Sequence, residues 1–320
     1  MPGSLFGLRR AGVLGLNRRN GCYTLKFNRR RFYPLVDDKV LCKQRLQERG
    51  LAVPELIALV EFNRQAAHLD ELIGDYREFV IKPAHGSGGS GILVITDRKA
   101  DYFIDSDGKL VLKEDLAHHL TNVIGGLYSL GGQPDVAMIE TLVHFDPQFA
   151  NLTYHGVPDI RVIVFKGYPV MAMTRLPTRM SHGKANLHQG AIGAGIDLAT
   201  GLTFGGVSGN HLVEEHPDTG QRIEGFRVPY WSRIISMAAH CYEAVELGYL
   251  GVDIVLDRDL GPLILELNAR PGLNIQLANR RGLRSRLEAI EALGDRSEAP
   301  EQRVAWSLRT FADTAAQAPA

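Results

Sequence analysis

Cysteine is scarce in this sequence, and the three present, Cys22, Cys42 and Cys241, are odd in number and far apart. That pattern excludes a disulfide framework and a cysteine zinc site, and it suits reduced thiols in a cytoplasmic protein. Long apolar runs are missing too. No stretch reaches the length of a membrane span, and the N-terminus lacks the uninterrupted apolar core of a signal peptide. Net charge is also absent overall, yet residues 1–45 hold eleven lysines or arginines against two aspartates, an excess of +9 offset over the rest of the chain. Such a basic arm could meet nucleic acid, an anionic membrane surface or a phosphate-bearing ligand, or it could pack on the acidic body of its own protein. No aromatic-interleaved motif supports nucleic acid, so none is expected as a partner.

What is present reads as a globular protein. Hydrophobic residues make up 45% and charged residues 22% of 320 positions, enough chain for one large domain or two smaller ones. Segment 1–36 is too short for an α/β domain of its own, and GCYTLKFN within it is consistent with one strand. A helix is expected from Asp37, with two aspartates complementing its dipole, Val40, Leu41 and Leu46 as its apolar stripe and Gly50 ending it. LAVPELIALV reads as a strand and turn, 63–73 as a helix, EFVIKP and ILVITD as strands around the loop AHGSGGSG, and DYFIDSDGKLVL as a strand pair. A helix over about 113–130 and the strand VAMIETLV follow. DIRVIVFKG and YPVMAMTRLP form two strands joined at Gly167. Residues 178–212, rich in Gly, Ser, His and Asn, read as a long functional loop with little core. A helix over about 230–247, an Arg-rich helix after Asn274 and a helical or frayed tail, 291–320, complete the reading.

Polar residues inside apolar strands mark candidate chemistry. In GVDIVLDRDLGPLILELNARPGLN the two apolar runs flank a turn at 257–261, which predicts an antiparallel hairpin. The period of two puts Glu266 and Asn268 on one strand face, where Asp253 can oppose Glu266. Two close carboxylates repel, and burying either unpaired is costly, so a hard cation between them is one solution. Oxygen ligands favour Mg²⁺, with Mn²⁺ as an alternative. The other solution is one buried acid paired with an arginine while the second lies at the sheet edge.

Gly86, Gly88 and Gly91 satisfy G-x-G-x-x-G, but a strand follows where a dinucleotide-binding turn needs a helix, and no Walker lysine follows either. The segment is therefore a glycine-rich hairpin connection whose backbone N–H groups can fold over phosphates, with the charge supplied by Lys82 on the preceding strand. An exposed edge lysine beside a mobile turn is the alternative.

Four blocks, DDKVLCKQRL, FVIKPAHGSGGSGI, DIRVIVFKGYPVMAMTRLP with KANLHQGA, and GVDIVLDRDLGPLILELNARPGLN, occur in an order that resembles the ATP-grasp superfamily over about residues 37–290. NLHQG followed by GVDI and ELNARPG is most similar to its RimK-like, alpha-L-glutamate ligase-like branch. The resemblance implies an α+β ATP-grasp fold, two α+β subdomains of about 46–142 and 143–290 holding a nucleotide between antiparallel sheets. It also implies ATP and Mg²⁺ as cofactors. Lys39 and Lys82 would meet the phosphates under the loop Gly86, Ser87, Gly88, Gly89 and Gly91. Glu140 and Thr141 would lie at the adenine edge, Asp159 near the ribose with Arg161 following, and Lys184 with Asn186 would reach the phosphates. Asp253, Glu266 and Asn268 would hold the metal.

The chain departs from that branch twice. Fewer than forty residues precede the first nucleotide lysine, where most members have a full α/β domain, so the basic segment, another subunit or a different substrate is expected to take over acceptor binding. Arg270 stands where the relatives have serine in N-x-S-P-G, and an arginine there could clamp a substrate carboxylate or acyl phosphate bidentately. The implied reaction is ATP-dependent ligation of a small-molecule or peptide carboxylate to an amine, with L-glutamate or another amino acid as the group added. Arg270, Arg161 and Asn268 are its candidate catalytic residues, and His182 or His188 could assist proton removal. An ATP-binding regulatory or scaffold protein of the same fold, and phosphotransfer to a small molecule, are the competing readings. A homo-oligomer is left open.

Overall fold

The computed structural model describes residue 7 and residues 10–86, 88–100 and 102–312. It is an α+β protein with two compact units, residues 1–36, 45–52 and 144–320 in one and 37–44 and 53–143 in the other.

The smaller unit is built on a six-stranded antiparallel sheet. In chain order the strands are β1 (Leu56–Val60), β2 (Phe79–Pro83), β3 (Leu93–Arg98), β4 (Tyr102–Asp105), β5 (Leu110–Leu112) and β6 (Ala137–Glu140), arranged β1-β6-β2-β3-β4-β5. Phe79, Ile81, Ile95, Phe103 and Ile139 point from this sheet into a core closed by Leu116, Leu120 and Val123 of helix α2 (Lys113–Ile124). That helix stops earlier than its apolar pattern suggests because Gly125 and Gly126 follow, Gly126 with φ +83°. The expected helix over 63–73 is two short ones, Asn63–Ala66 and Leu69–Ile73, broken at His68, whose φ and ψ of −113° and 36° are not helical. Helix α1 (Lys39–Glu48) begins where its aspartates predict, Asp38 Oδ1 accepting from the backbone N–H groups of Val40 and Leu41 at 2.8 and 3.0 Å.

The larger unit contains a seven-stranded antiparallel sheet of β7 (Asp159–Phe165), β8 (Tyr168–Leu176), β9 (Ile192–Ile196), β10 (Thr203–Ser208), β11 (His211–Val213), β12 (Tyr249–Asp257) and β13 (Gly261–Asn268), ordered β11-β10-β9-β8-β7-β12-β13. The β12–β13 hairpin has the register expected, with Asp253 opposite Glu266, and Asp253 also faces Arg161 on β7. Helix α3 (Trp231–Val245) covers the sheet with Ile234, Ile235, Ala238, Cys241 and Val245, and α4 (Arg284–Glu291) and α5 (Pro300–Thr310) pack beside it.

Two expectations are overturned here. Residues 178–212 contain β9, β10 and the start of β11, and all five residues of β9 are buried. Their glycines serve close packing: a Cβ on Gly195 would lie 2.7 Å from the Ala278 carbonyl oxygen. GCYTLKFN is helical, part of consecutive helical turns over Leu16–Phe27. Arg19, Tyr23 and Phe27 recur every four residues, and both rings meet Phe165, Tyr23 at 5.5 Å and Phe27 at 4.8 Å between centroids. The N-terminal segment is thereby fixed to the larger unit. Asn28 Nδ2 donates to the carbonyls of Tyr249 and Ala269 at 2.7 and 3.0 Å, and Arg18 and Lys26 pair with Glu288 and Glu291 of α4. The fraying expected at the C-terminus falls largely on residues 313–320, outside the described residues; just before them α5 is a regular helix.

Candidate functional site

Two charge networks hold most of the candidate residues, one in each unit. In the smaller unit, Glu140 ends β6 beside Lys82 on β2 and is 3% exposed. A carboxylate this buried must be paired. Lys82 Nζ meets Glu140 Oε2 at 2.6 Å, and Lys43 Nζ, from α1, meets Oε1 at 2.5 Å. Lys43 also donates to the Pro54 carbonyl. Burial lowers the pKa of Lys43, with Lys82 adding to the effect and Glu140 opposing it. Glu140, expected at an adenine edge, thus has its side chain committed to two ammonium groups. The neighbouring Thr141 donates its N–H to the Glu55 carbonyl at 3.0 Å, and its Oγ1 accepts from Glu55 N–H at 3.2 Å.

The glycine loop begins one residue after the β2–Ala84 segment. Lys39 Nζ donates to the Gly86 carbonyl at 2.5 Å and to that of Ala84 at 3.3 Å, which brings its charge to the loop's first foot. His85 is held by Asp135, Nδ1 lying 2.7 Å from Oδ1. The second foot is Gly91, with φ +76°, whose carbonyl lies 3.0 Å from His119 Nε2; a Cβ there would lie 2.5 Å from the Tyr128 ring. Between the feet, Gly88 and Gly89 have positive φ and open space around them. Ser87 lies outside the described residues. The feet are therefore packed, while the tip exposes backbone, the arrangement a phosphate-cradling nest needs.

In the larger unit, Asp159, Arg161, Arg175 and Asp253 form a compact network across β8, β7 and β12. Arg161 grips Asp253 bidentately, Nε to Oδ1 at 2.7 Å and Nη2 to Oδ2 at 2.5 Å. Arg175 pairs bidentately with Asp159, Nε to Oδ1 at 2.6 Å, and its Nη2 reaches Asp253 Oδ2 at 2.9 Å. Burial raises the pKa of Asp159 to about 6 against the pull of Arg175, with Asp253 adding to the rise. Asp253 moves the other way: burial opposes the shift, but Arg161 and Arg175 together hold its pKa below the ordinary value. The asymmetry follows from the contacts, since Asp253 is shared by two guanidinium groups and Asp159 is served by one.

Asp253, expected as a metal ligand, therefore has both carboxylate oxygens taken by arginine, the alternative arrangement for a buried acid. Asp159 is likewise a partner of Arg175. Asn268 Nδ2 donates to Asp253 Oδ2 at 3.3 Å, which leaves its oxygen as an acceptor, and Glu266 stands half-buried opposite Asp253. Among the described residues no group of three or more His, Cys, Asp or Glu side chains is placed to hold a metal ion. Glu266 and the Asn268 oxygen do offer the hard donors a Mg²⁺ ion needs.

Among the described residues, the remaining candidates make no hydrogen bond or ion pair with this network. Asn186 Oδ1 caps the turn Leu187–Gln189 by accepting from His188 N–H at 3.0 Å, and Lys184, His182 and His188 are exposed. Arg270 is exposed, its guanidinium 4.8 Å from the centroid of the Tyr33 ring. Sequence reasoning missed Lys43 and Arg175. Arg175 had a visible signal, a lone arginine in the otherwise apolar strand YPVMAMTRL; Lys43, on a helix rich in charge, had none.

Residues 18–292 match the family described as sugar-transfer associated ATP-grasp. Among solved structures, the ATP-grasp ligase PsnB complexed with a minimal precursor is 14% identical, with 84% of this chain and 63% of that one covered at a TM-score of 0.45. D-alanine–D-alanine ligase from Bacillus anthracis is 16% identical, covering 88% and 70% at 0.44, and D-cycloserine synthetase DcsG is 13% identical, covering 85% and 71% at 0.43. The chain thus spans less than two thirds of the PsnB chain. No curated protein matches.

Proposed function

The chain belongs to the sugar-transfer associated ATP-grasp family, and from that premise we propose that it is an ATP-dependent carboxylate–amine ligase. The observation that carries this reading is the joint presence, on β7, β8, β12 and β13, of two guanidinium groups with the side-chain oxygens of Glu266 and Asn268. A reaction that builds and discharges an acyl phosphate needs both kinds of group.

In this reading a carboxylate oxygen of the acid attacks the γ-phosphorus of ATP and ADP leaves. The amine nitrogen then attacks the acyl carbon, phosphate departs and the amine's proton passes to solvent. Lys39, Lys82 and the glycine loop bind the phosphates, and Arg161 and Arg175 orient and neutralise the acyl phosphate oxygens. Asp253 and Asp159 position those arginines. Glu266 and the Asn268 oxygen would hold Mg²⁺, which would supply charge neutralisation of the phosphate oxygens. Positioning and electrostatics account for the catalysis.

The resemblance to glutamate ligases makes L-glutamate one amino acid to test, and the family's association with sugar transfer puts amino sugars beside amino acids in the amine panel. The test incubates the purified chain with Mg-ATP and pooled acids, amines, peptides and sugars, read by mass spectrometry. We expect a product equal to acid plus amine minus water, with ADP released, absent for Glu266→Ala and Lys82→Ala. A stable phosphorylated product without an amide would replace this reading by phosphotransfer, and Mg-ATP binding without any product would replace it by a regulatory role. Among the described residues no helix is long and apolar enough to cross a membrane.

A further inference from the structure

The network around Asp253 balances its arginines with acids, but two other arginines of the larger unit come together without one. Arg19, in the N-terminal segment, is 7% exposed and donates Nη1 to the Pro271 carbonyl at 2.9 Å, which fixes it next to Arg270. Arg270 is exposed and stacks over Tyr33, a residue that itself is buried. No carboxylate pairs with either guanidinium among the described residues. Arg19 Nε is buried and has no hydrogen-bond partner, and the buried hydroxyl of Tyr249 has none either. Electrostatics ties the group together: burial lowers the pKa of Arg19, Tyr249 and Tyr33 oppose that shift, and Arg270 adds to it.

Two guanidinium groups held together, one of them desolvated with an unused donor, repel each other until an anion joins them. Buried polar groups without partners are rare enough to call for an explanation, and here the sign of the missing partner is plain. The surroundings fix the position of the pair. Asn28 ties the segment to the carbonyls of Tyr249 and Ala269, and Leu14 exchanges hydrogen bonds with Gln276, 2.8 Å from its N–H to Oε1 and 3.1 Å from Nε2 to its carbonyl. The loop that carries Arg270 is thus clamped from both sides by the N-terminal segment.

We propose that Arg19 and Arg270 form an anion-binding site that receives a second acidic group of the substrate, a carboxylate or a phosphate, apart from the carboxylate that is activated. This rests on the ligase reading in placing the activated carboxylate near Glu266 and Asn268. Arg270 follows Asn268 by two residues, at most about 7 Å between their Cα atoms, close enough for one substrate molecule to carry both anionic groups. Arg270 then selects for the second anion, and Arg19 positions Arg270 and shares the charge.

Isothermal titration of the full chain with malonate and, separately, inorganic phosphate, at low salt with EDTA and without nucleotide, tests the site independently of turnover. We expect one of the two to bind, the tighter naming the group, and Arg270→Gln and Arg19→Met each to weaken that binding roughly tenfold, about 1.4 kcal/mol. Arg19→Lys should restore part of it. Arg270 is exposed, so its variant keeps the test open if Arg19→Met fails to fold. Absence of binding to the unaltered chain, or binding that survives Arg270→Gln, would overturn the proposal. Anion binding without any ligation product would instead overturn the ligase reading and leave the site standing.

Discussion

Replacing Glu140 by glutamine removes one negative charge from between two buried ammonium groups while keeping the side chain's shape. Each ion pair, at 2.5 and 2.6 Å, carries a gross attraction of about 6 kcal/mol at an effective dielectric constant of about 20. Most of that is offset by desolvation, and removing one partner of a buried pair costs about 3–5 kcal/mol net. The glutamine oxygen can still accept from one lysine, so the lower end, about 3 kcal/mol, is expected. Lys43 supplies a relief. Its pKa is already lowered by burial, and without Glu140 it falls further, so the folded variant binds fewer protons than the unfolded chain at pH values below the ordinary lysine range. Stability of Glu140→Gln therefore rises with pH towards that range, and the deficit shrinks.

Hydrogen exchange at Ile81, Lys82, Met138 and Ile139, on the paired strands β2 and β6, reads this locally without requiring the two units to unfold together. At neutral pH the variant's strand amides should exchange roughly 150-fold faster, the equivalent of about 3 kcal/mol, with a smaller opening deficit at pH 9. Lys43→Met alone should cost less than about 1 kcal/mol, because Glu140 keeps Lys82 and a desolvated charge is gone. A Glu140→Gln effect below tenfold, or a deficit that grows with pH, would refute the argument that these charges depend on one another.

Between its ordinary value of 3.8 and the raised value of about 6, Asp159 makes the folded chain bind more protons than the unfolded one. Stability measured by urea unfolding with EDTA should fall as pH rises through that window, by up to roughly 3 kcal/mol, and Asp159→Asn should flatten the slope. Asp253, shifted downwards, acts in the opposite sense and loses its contribution as pH falls below 3.8. In the glycine loop, Gly91→Ala must displace the Tyr128 ring as well as hold φ at +76° and should cost about 2–4 kcal/mol, whereas Gly88→Ala, with φ +66° and open space, should cost about 1–2. Exchange protection of the Tyr128 and His119 amides distinguishes them, and equal costs would contradict the packing account.

The parts of the fold that sequence made legible are those where local and tertiary preferences agree. β7 and β8 are apolar runs joined at Gly167, with φ +80°, and β12 and β13 flank a turn at residues whose types demand one. The failures are residues with two uses. Glycine in 178–212 signals a loop by composition but permits close strand packing at Gly195. Tyr23 and Phe27 favour strands by propensity, yet their four-residue spacing lets both rings meet Phe165 only on a helix.

The site divides the same way. A polar residue in an apolar strand announces where chemistry lies, so Asp159, Arg161, Asp253 and Glu266 stand out from sequence. Their partners are set by register, which fixes the facing residue only after the sheet is assembled. Hence Asp253 stands out from the sequence as an acid that needs a cation, and the cations it has are Arg161 and Arg175. The formal charges then sort the two networks. Lys43 and Lys82 against Glu140 leave +1 in the smaller unit, while Asp159, Asp253 and Glu266 against Arg161 and Arg175 leave −1 in the larger. A surplus of positive charge beside exposed loop backbone suits phosphate, and a deficit at Glu266 and Asn268 suits a divalent cation.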